Sequence, residues 1–248
     1  MSETRRGWLA RWWWRQQFEP GMAGLVLAPF YHARRGLLKE LTPLLAELRG
    51  DVLDVGCGRK PYRERVPASR YVGLDIDSPE SRKLGVADAF YDGRRFPFAD
   101  ASFDGVLCSQ VLEHVFTPEA FLAEIARVLR PGGRLVLAVP FAWDEHEQPV
   151  DYARYSSFGL RALLERTGFE LVEQRKSAAD FRALVQLTSG WVFKKTRTRS
   201  RAINLLVQVG LIAPVNVLGG LLAAILPGNP DFYLDNVVLA RKAEGGPA

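Results

Sequence analysis

Val52-Leu53-Asp54-Val55-Gly56-Cys57-Gly58 is the stretch on which the fold turns. An apolar, β-branched run passes directly into a glycine turn, the pattern of a buried strand that ends where a ligand comes close. Glycines at such a turn let the backbone approach a ligand and adopt conformations that a side chain forbids. The dinucleotide fingerprint would place a third glycine three residues after Gly58, and that position is Pro61. A phosphate loop would continue into Gly-Lys-Ser/Thr, which does not follow here. Asp54 stands just before the turn. A carboxylate beside a pyrophosphate repels it, so Asp54 points to a cofactor without one.

Outward from this turn, strands and helices alternate. Apolar runs at 71–74, 86–91, 103–108, 134–139, 169–173 and 232–240 read as strands. Residues 118–129 form an amphipathic pattern, with Phe121, Leu122, Ile125, Val128 and Leu129 on one face and Pro131-Gly132-Gly133 as its stop. Residues 157–166 read as another helix, closed by Gly168. The alternation predicts an α/β fold with a Rossmann-like, seven-stranded, mainly parallel sheet and helices on both faces. Asp75 ends the second strand close to the spacing at which an acid takes a ribose diol, where its charge strengthens two hydroxyl hydrogen bonds.

Upstream, residues 33–48 read as a helix interrupted by Pro43, which predicts two short pieces. Trp8, Trp12, Trp13, Trp14, Phe18, Phe30 and Tyr31 lie among arginines, which suits a membrane interface, a lid over an apolar substrate or a helix packed on the core. Downstream, residues 202–230 contain no charge and are long enough to cross a bilayer. Pro214, Asn216 and Gly219-Gly220 fall in the middle, so a hairpin of two apolar helices is expected, either in one membrane leaflet or over the active site. A buried subdomain or a dimer interface is the alternative.

A chain with 48% hydrophobic and 25% charged residues is not disordered. Its net charge of +5 is uneven. Arg5, Arg6, Arg11, Arg15, Arg34, Arg35 and Lys39 face only Glu3 and Glu19, and Lys194, Lys195, Arg197, Arg199 and Arg201 face no acid. Each cluster reads as a solvated face or, given its apolar neighbours, as contact with an anionic membrane surface through 1–31 and 194–230. No zinc-ligand pattern or aromatic RNA-binding strand accompanies them, so nucleic acid is not an expected partner. Cys57 and Cys108 make no disulfide framework and read as small buried residues in a reducing compartment. With no secretory signal legible, the expected location is the cytoplasm, peripheral on the inner face of the membrane.

The ordered set of motifs resembles the class I S-adenosylmethionine-dependent methyltransferases. Residues 52–58 carry it first, then Gly73-Leu74-Asp75, Phe96-Pro97-Phe98, Ser102-Phe103-Asp104, Val111-Leu112-Glu113-His114 and Arg127-Val128-Leu129-Arg130-Pro131-Gly132-Gly133. The likeness is to the group that includes quinone-biosynthesis and glycan-cluster methyltransferases, and it spans residues 50–175. It implies S-adenosyl-L-methionine as cofactor. Asp54, Gly56, Cys57 and Gly58 would surround the methionine part, mainly through backbone. Asp75 would hold the ribose and Ile76 would pack on the adenine. An Asp after the third strand would meet the adenine amino group, with Asp92 preferred and Asp88 second. Gln110 and Val111 would line the cofactor floor, and His114 would face the substrate or pack. The linker between the second and third strands is shorter than the family's usual helix. The organisation implied is an N-terminal helical and aromatic segment (1–49), the cofactor-binding core (50–176), a basic and apolar helical insertion (177–231) and the last core strand (232–242).

After the fifth strand comes Asp144-Glu145-His146-Glu147-Gln148-Pro149-Val150-Asp151-Tyr152-Ala153-Arg154-Tyr155, where a substrate should sit. Methyl transfer from a sulfonium is an in-line displacement, so the protein supplies orientation. A sugar hydroxyl benefits from a general base, and His146 is the first candidate because imidazole exchanges protons near neutral pH. Tyr152 and Tyr155 are candidates to orient hydroxyls. By spacing, the histidines make no metal site, and Cys108 lies within a strand. Three functions follow: O-methylation of a glycan or lipid-linked saccharide at a membrane surface, methylation of a prenylated quinone or other small aromatic, or non-catalytic cofactor binding.

Overall fold

The computed structural model describes residues 19–244 together with Gly7, Trp12 and Gln16. Trp8, Trp13, Trp14, Phe18 and the first arginine cluster up to Arg15 lie outside the described residues. The chain divides into two compact units. One takes the chain up to Lys39 with Lys176–Leu234; the other takes Glu40–Arg175 and the chain from Asp235 on.

The second unit holds seven strands: β1 (Gly50–Val55), β2 (Ala68–Ile76), β3 (Ala89–Tyr91), β4 (Phe103–Ser109), β5 (Leu129–Pro140), β6 (Phe169–Lys176) and β7 (Asp235–Lys242). They form one sheet in the order β3-β2-β1-β4-β5-β7-β6. Strands β1 to β5 pair in parallel, and β7 runs antiparallel to β5. Val52, Leu53 and Val55 are fully buried because β1 is covered on both faces. The chain reverses neighbour order at β1, between β2 and β4, which opens a crevice at the carboxyl ends of these strands.

Helix α4 (Pro118–Val128) buries Phe121, Leu122, Ile125 and Val128 on one face, as its spacing predicts. It stops at Val128, and β5 starts at Leu129, before the proline. Arg130 precedes Pro131, a position that disfavours the helical region. Helix α5 (Ser157–Arg166) has its N-cap in Ser156, whose side chain accepts from Gly159 N. Between β1 and β2 there is only a 3₁₀ turn, Arg63–Arg65. Between β2 and β3 there is the short helix α3 (Pro79–Leu84), ended by Gly85 in the left-handed conformation. Strand β3 therefore starts at Ala89, later than the expected 86.

The first unit is helical: α1 (Gly24–Leu27), α6 (Arg182–Thr196), α7 (Arg201–Val207), a π-helical stretch (Gln208–Ile212) and α8 (Ala213–Ile225). Helix α2 (Tyr31–Leu45) is one helix that contains Pro43, not two pieces. The proline falls in the last turn, where one lost backbone bond costs little cooperativity. The expected hairpin at 202–230 is also corrected: Arg201–Ile225 is one continuous helical run. Pro214 is the second residue of α8, which follows the π stretch directly. Such a widened turn relieves the clash that a proline makes with the preceding turn.

Asn216, expected to break a helix, is instead a fully buried anchor. Its amide donates to Leu25 O and Ala28 O, both at 3.3 Å, and its side-chain oxygen accepts from Ser189 Oγ at 2.8 Å. Gln208 donates to Val26 O at 2.8 Å. At Gly219 an added Cβ would lie 2.2 Å from Val185 Cγ2, so the glycine sets how closely α8 and α6 approach.

Candidate active site

The cofactor side is built from the carboxyl ends of β1, β2 and β4. Gly56 and Gly58 take φ of +69° and +48°, the left-handed region that favours glycine. Gly56 also leaves room for Val111, since a Cβ there would lie 2.3 Å from Val111 Cγ2. Over Gly58 no atom of the described residues lies within 4 Å of where a Cβ would stand. Asp75 faces this turn: its Oδ2 accepts from Gly58 N at 3.1 Å and its Oδ1 from Ile76 N at 2.9 Å. Ile76 is exposed beside it, and a Cβ on Gly93 would lie 3.3 Å from Ile76 Cδ1. An open glycine floor, a carboxylate at its rim and an apolar lip fit a nucleoside that carries no pyrophosphate.

The two candidate acids after β2 differ in place. Asp92 follows the end of β3, next to Gly93 and the Ile76 lip, and its Oδ1 accepts from Arg94 N (2.9 Å) and Arg95 N (3.2 Å). Asp88 precedes β3. Its Oδ2 is taken by Gly73 N at 2.7 Å and Lys60 Nζ at 2.6 Å. Asp54 is buried beneath the turn and accepts from the Tyr71 hydroxyl at 2.6 Å. Burial outweighs that bond and pushes its carboxyl up to about 7. Cys57 turns its thiol toward Gly73 and gives its N–H to Leu74 O, so it offers the floor only backbone. Gln110 takes φ +58° after β4 and donates from its amide to Asp235 Oδ1 at 3.2 Å.

The acceptor side is built from the loops after β4 and β5. A 3₁₀ turn, Leu112–His114, follows β4. The backbone oxygen of Glu113 accepts from Tyr152 N (2.8 Å) and Ala153 N (3.3 Å), which ties the two loops together. His114 and His146, far apart in sequence, meet edge to face with ring centroids 4.8 Å apart. His114 Nδ1 lies 2.8 Å from Val150 O, a geometry in which Nδ1 carries the proton. His146 Nδ1 lies 3.3 Å from both Asp151 Oδ2 and Asp144 O. Arg154 grips Asp151 with two bonds, NH1 to Oδ1 at 2.6 Å and NH2 to Oδ2 at 2.7 Å. That guanidinium holds the Asp151 carboxyl far below the usual carboxylate range.

Tyr152 and Tyr155 are not in that cluster of bonds. Tyr152 is exposed and packs on Phe116 with centroids 5.3 Å apart. Tyr155 packs against the hydrophobic core, and burial pushes its phenol up to about 12. Sequence reasoning missed Glu113, Asp151, Arg154, Tyr71 and Lys60. The Asp151–Arg154 pair carried a signal, opposite charges three residues apart. Glu113 stood within the Val111–His114 motif, but nothing in that motif marked its side chain as buried. Its side chain is fully buried, and neither carboxylate oxygen has a hydrogen-bond partner among the described residues. Burial pushes it up to about 8. Glu113, His114 and His146 bring one ligand atom each within 4.8 Å of one another, a donor set able to hold a divalent cation that spacing alone did not reveal.

A family model described as a methyltransferase domain matches residues 53–137. The O-methyltransferase rstn1 of Aspergillus nomiae is 31% identical over 166 residues, covering 57% of this chain and 74% of that one. The ubiquinone biosynthesis O-methyltransferase of Idiomarina loihiensis is 31% identical over 139 residues, covering 51% of this chain and 54% of that one. The chain likewise spans 58% and 52% of the length of two further curated relatives. Among solved structures, an S-adenosylmethionine-dependent methyltransferase from Archaeoglobus fulgidus superposes with a TM-score of 0.53 at 20% identity, covering 94% of this chain and 99% of that one. The [4+2]-cyclase SpnF superposes with a TM-score of 0.53 at 22% identity, covering 83% and 82%. At these identities the structural likeness carries the fold alone, and a cyclase among the neighbours shows how far chemistry can vary upon it.

Proposed function

This chain belongs to the class I S-adenosylmethionine-dependent methyltransferases, and we propose that it methylates a hydroxyl oxygen of a glycan or lipid-linked saccharide at a membrane surface. The bound cofactor supplies the electrophilic methyl group. Asp75 would take the ribose diol, the Gly56–Gly58 floor the methionine part, and Ile76 with the Asp92–Gly93 turn the adenine.

The observation that carries the acceptor reading is the imidazole pair braced by Asp151 and Arg154. A sugar hydroxyl is a weak nucleophile and gains from a base aimed at its proton. With Nδ1 of His146 donating to Asp144 O at 3.3 Å and its backbone N–H held by Asp151 Oδ2 at 2.9 Å, Nε2 is left with the lone pair that accepts this proton. The ionised Asp151 then balances the imidazolium that forms, while Arg154 keeps the carboxylate in position. His114, fixed by Val150 O, presents its own Nε2 to the same space. The exposed apolar helix and basic run of the first unit support delivery of the acceptor at a membrane. A prenylated phenol is the second reading, favoured by the quinone-pathway relative; a phenol ionises readily and leans less on a base.

Purified protein, methyl-labelled cofactor and EDTA, given saccharide-linked lipids or prenylated phenols, separate the two by mass spectrometry. Label on a sugar oxygen is expected, with kcat for His146→Gln lower by about 10²–10⁴-fold. Label confined to phenols, with His146→Gln fully active, would sink the saccharide reading.

A further inference from the structure

We propose that the first unit docks on an anionic bilayer as an in-plane anchor, with the helical run Arg201–Ile225 lying in one leaflet and not crossing it. One face of this run is committed to its own unit. Gln208, Ile212, Asn216 and Gly219 are buried there, and Gln208 and Asn216 are hydrogen-bonded to α1 and its flanks. Withdrawing the helix to span hydrocarbon would strand those amides, together with the carbonyls and the Ser189 hydroxyl that they satisfy.

The opposite face is apolar and exposed. Leu206 is 72% exposed, Leu218 and Leu221 are each 60%, and Ile225 is 81%. Trp191 on α6, at 63%, adds the aromatic type that favours the headgroup boundary. A helix packed through Gln208 and Asn216 on one face and apolar and bare on the other leaves an exposed patch of the kind that marks a contact surface.

Charge identifies what covers it. No acidic residue occurs from 181 to 230, whereas Lys194, Lys195, Arg197, Arg199 and Arg201 all fall there, immediately before the apolar run. All five are exposed. A second copy of the chain would bring two such basic runs together and repel. Anionic headgroups would neutralise them while acyl chains take the leucines, the two attractions that hold an interfacial helix. The inference does not depend on which acceptor is methylated.

Flotation of the full chain with vesicles tests it. Vesicles of phosphatidylcholine with about one third phosphatidylglycerol are expected to carry the protein up, and pure phosphatidylcholine vesicles to carry much less. Reversal of the exposed Lys194, Lys195 and Arg197 to Glu, in protein whose circular dichroism matches the parent's, should weaken partitioning by roughly a hundredfold. Leu221→Gln with Ile225→Gln should abolish it, while circular dichroism and thermal melting of the unbound protein stay unchanged. The proposal fails if the parent chain does not float with anionic vesicles, or if either variant floats as well as the parent. It also fails if ultracentrifugation shows a dimer that hides Ile225 from chemical labelling at a cysteine placed there. Methyl transfer to a soluble saccharide fragment is measured separately, so loss of flotation and loss of the acceptor reading can be told apart.

Discussion

Glu113 holds a buried carboxyl that has no hydrogen-bond partner among the described residues, and this has a consequence for pH. Unfolded, it titrates in the ordinary carboxylate range; folded, burial moves it up to about 8. The folded chain therefore holds an extra proton between those limits, and stability falls as pH rises through that window. Asp54, pushed up to about 7, acts in the same sense. Glu113→Gln keeps the shape and removes the titration. Its stability relative to the parent should rise by on the order of a few kcal/mol between about pH 5 and about pH 9, read from urea midpoints. A difference flat in pH would contradict burial as the cause. On the cofactor side, Asp75→Ala should weaken S-adenosylmethionine binding by about 1.5–3 kcal/mol, measured by calorimetry; unchanged affinity removes Asp75 from the ribose site. These two residues also mark what was legible at this scale. The glycine turn and Asp75 are readable because their demands are local, a backbone conformation and a carboxylate at a strand end. Glu113 and the meeting of His114 with His146 are not, because both depend on two loops folding onto each other.

At the scale of elements, the departures from expectation share one physical origin. Pro43, Pro214, Asn216 and Gly219 weaken isolated helices, so each reads as a break. The two prolines fall where the helix tolerates them, and tertiary contacts outweigh that weakness at Asn216 and Gly219. Asn216 trades helix propensity for buried hydrogen bonds, and Gly219 trades it for close approach to Val185. Gly219→Val should lower the stability of the first unit by about 1–3 kcal/mol through overpacking, and Asn216→Leu by a similar amount through orphaned partners. Both are checked by denaturant unfolding followed in the far ultraviolet. A Gly219→Val chain as stable as the parent would mean that α6 and α8 are less tightly apposed than the Val185 contact implies. Regular strands such as β4 and the amphipathic α4 were readable almost to the residue, since burial on fixed faces leaves a fixed period.

For the molecule as a whole, every residue assigned to the cofactor lies in the unit made of Glu40–Arg175 and the chain from Asp235 on. Hydrogen exchange with and without S-adenosylmethionine should therefore slow around Gly56–Gly58, Asp75–Ile76 and Gln110–Val111 while α8 is unchanged. Protection appearing first in α8 would move the cofactor's effect to the other unit. The division itself follows chain order only loosely. Strand β7 is last in sequence, yet it lies inside the sheet, between β5 and β6. During synthesis the ribosome delivers β5 and β6 first, then the long apolar helix, and only after it the piece that joins the two strands. Until residues 235–242 emerge, both neighbours present open edges of the kind that pair with the wrong chain. A nascent polypeptide halted before residue 235 keeps a slot in the interior of its sheet and is not a trimmed version of the finished fold.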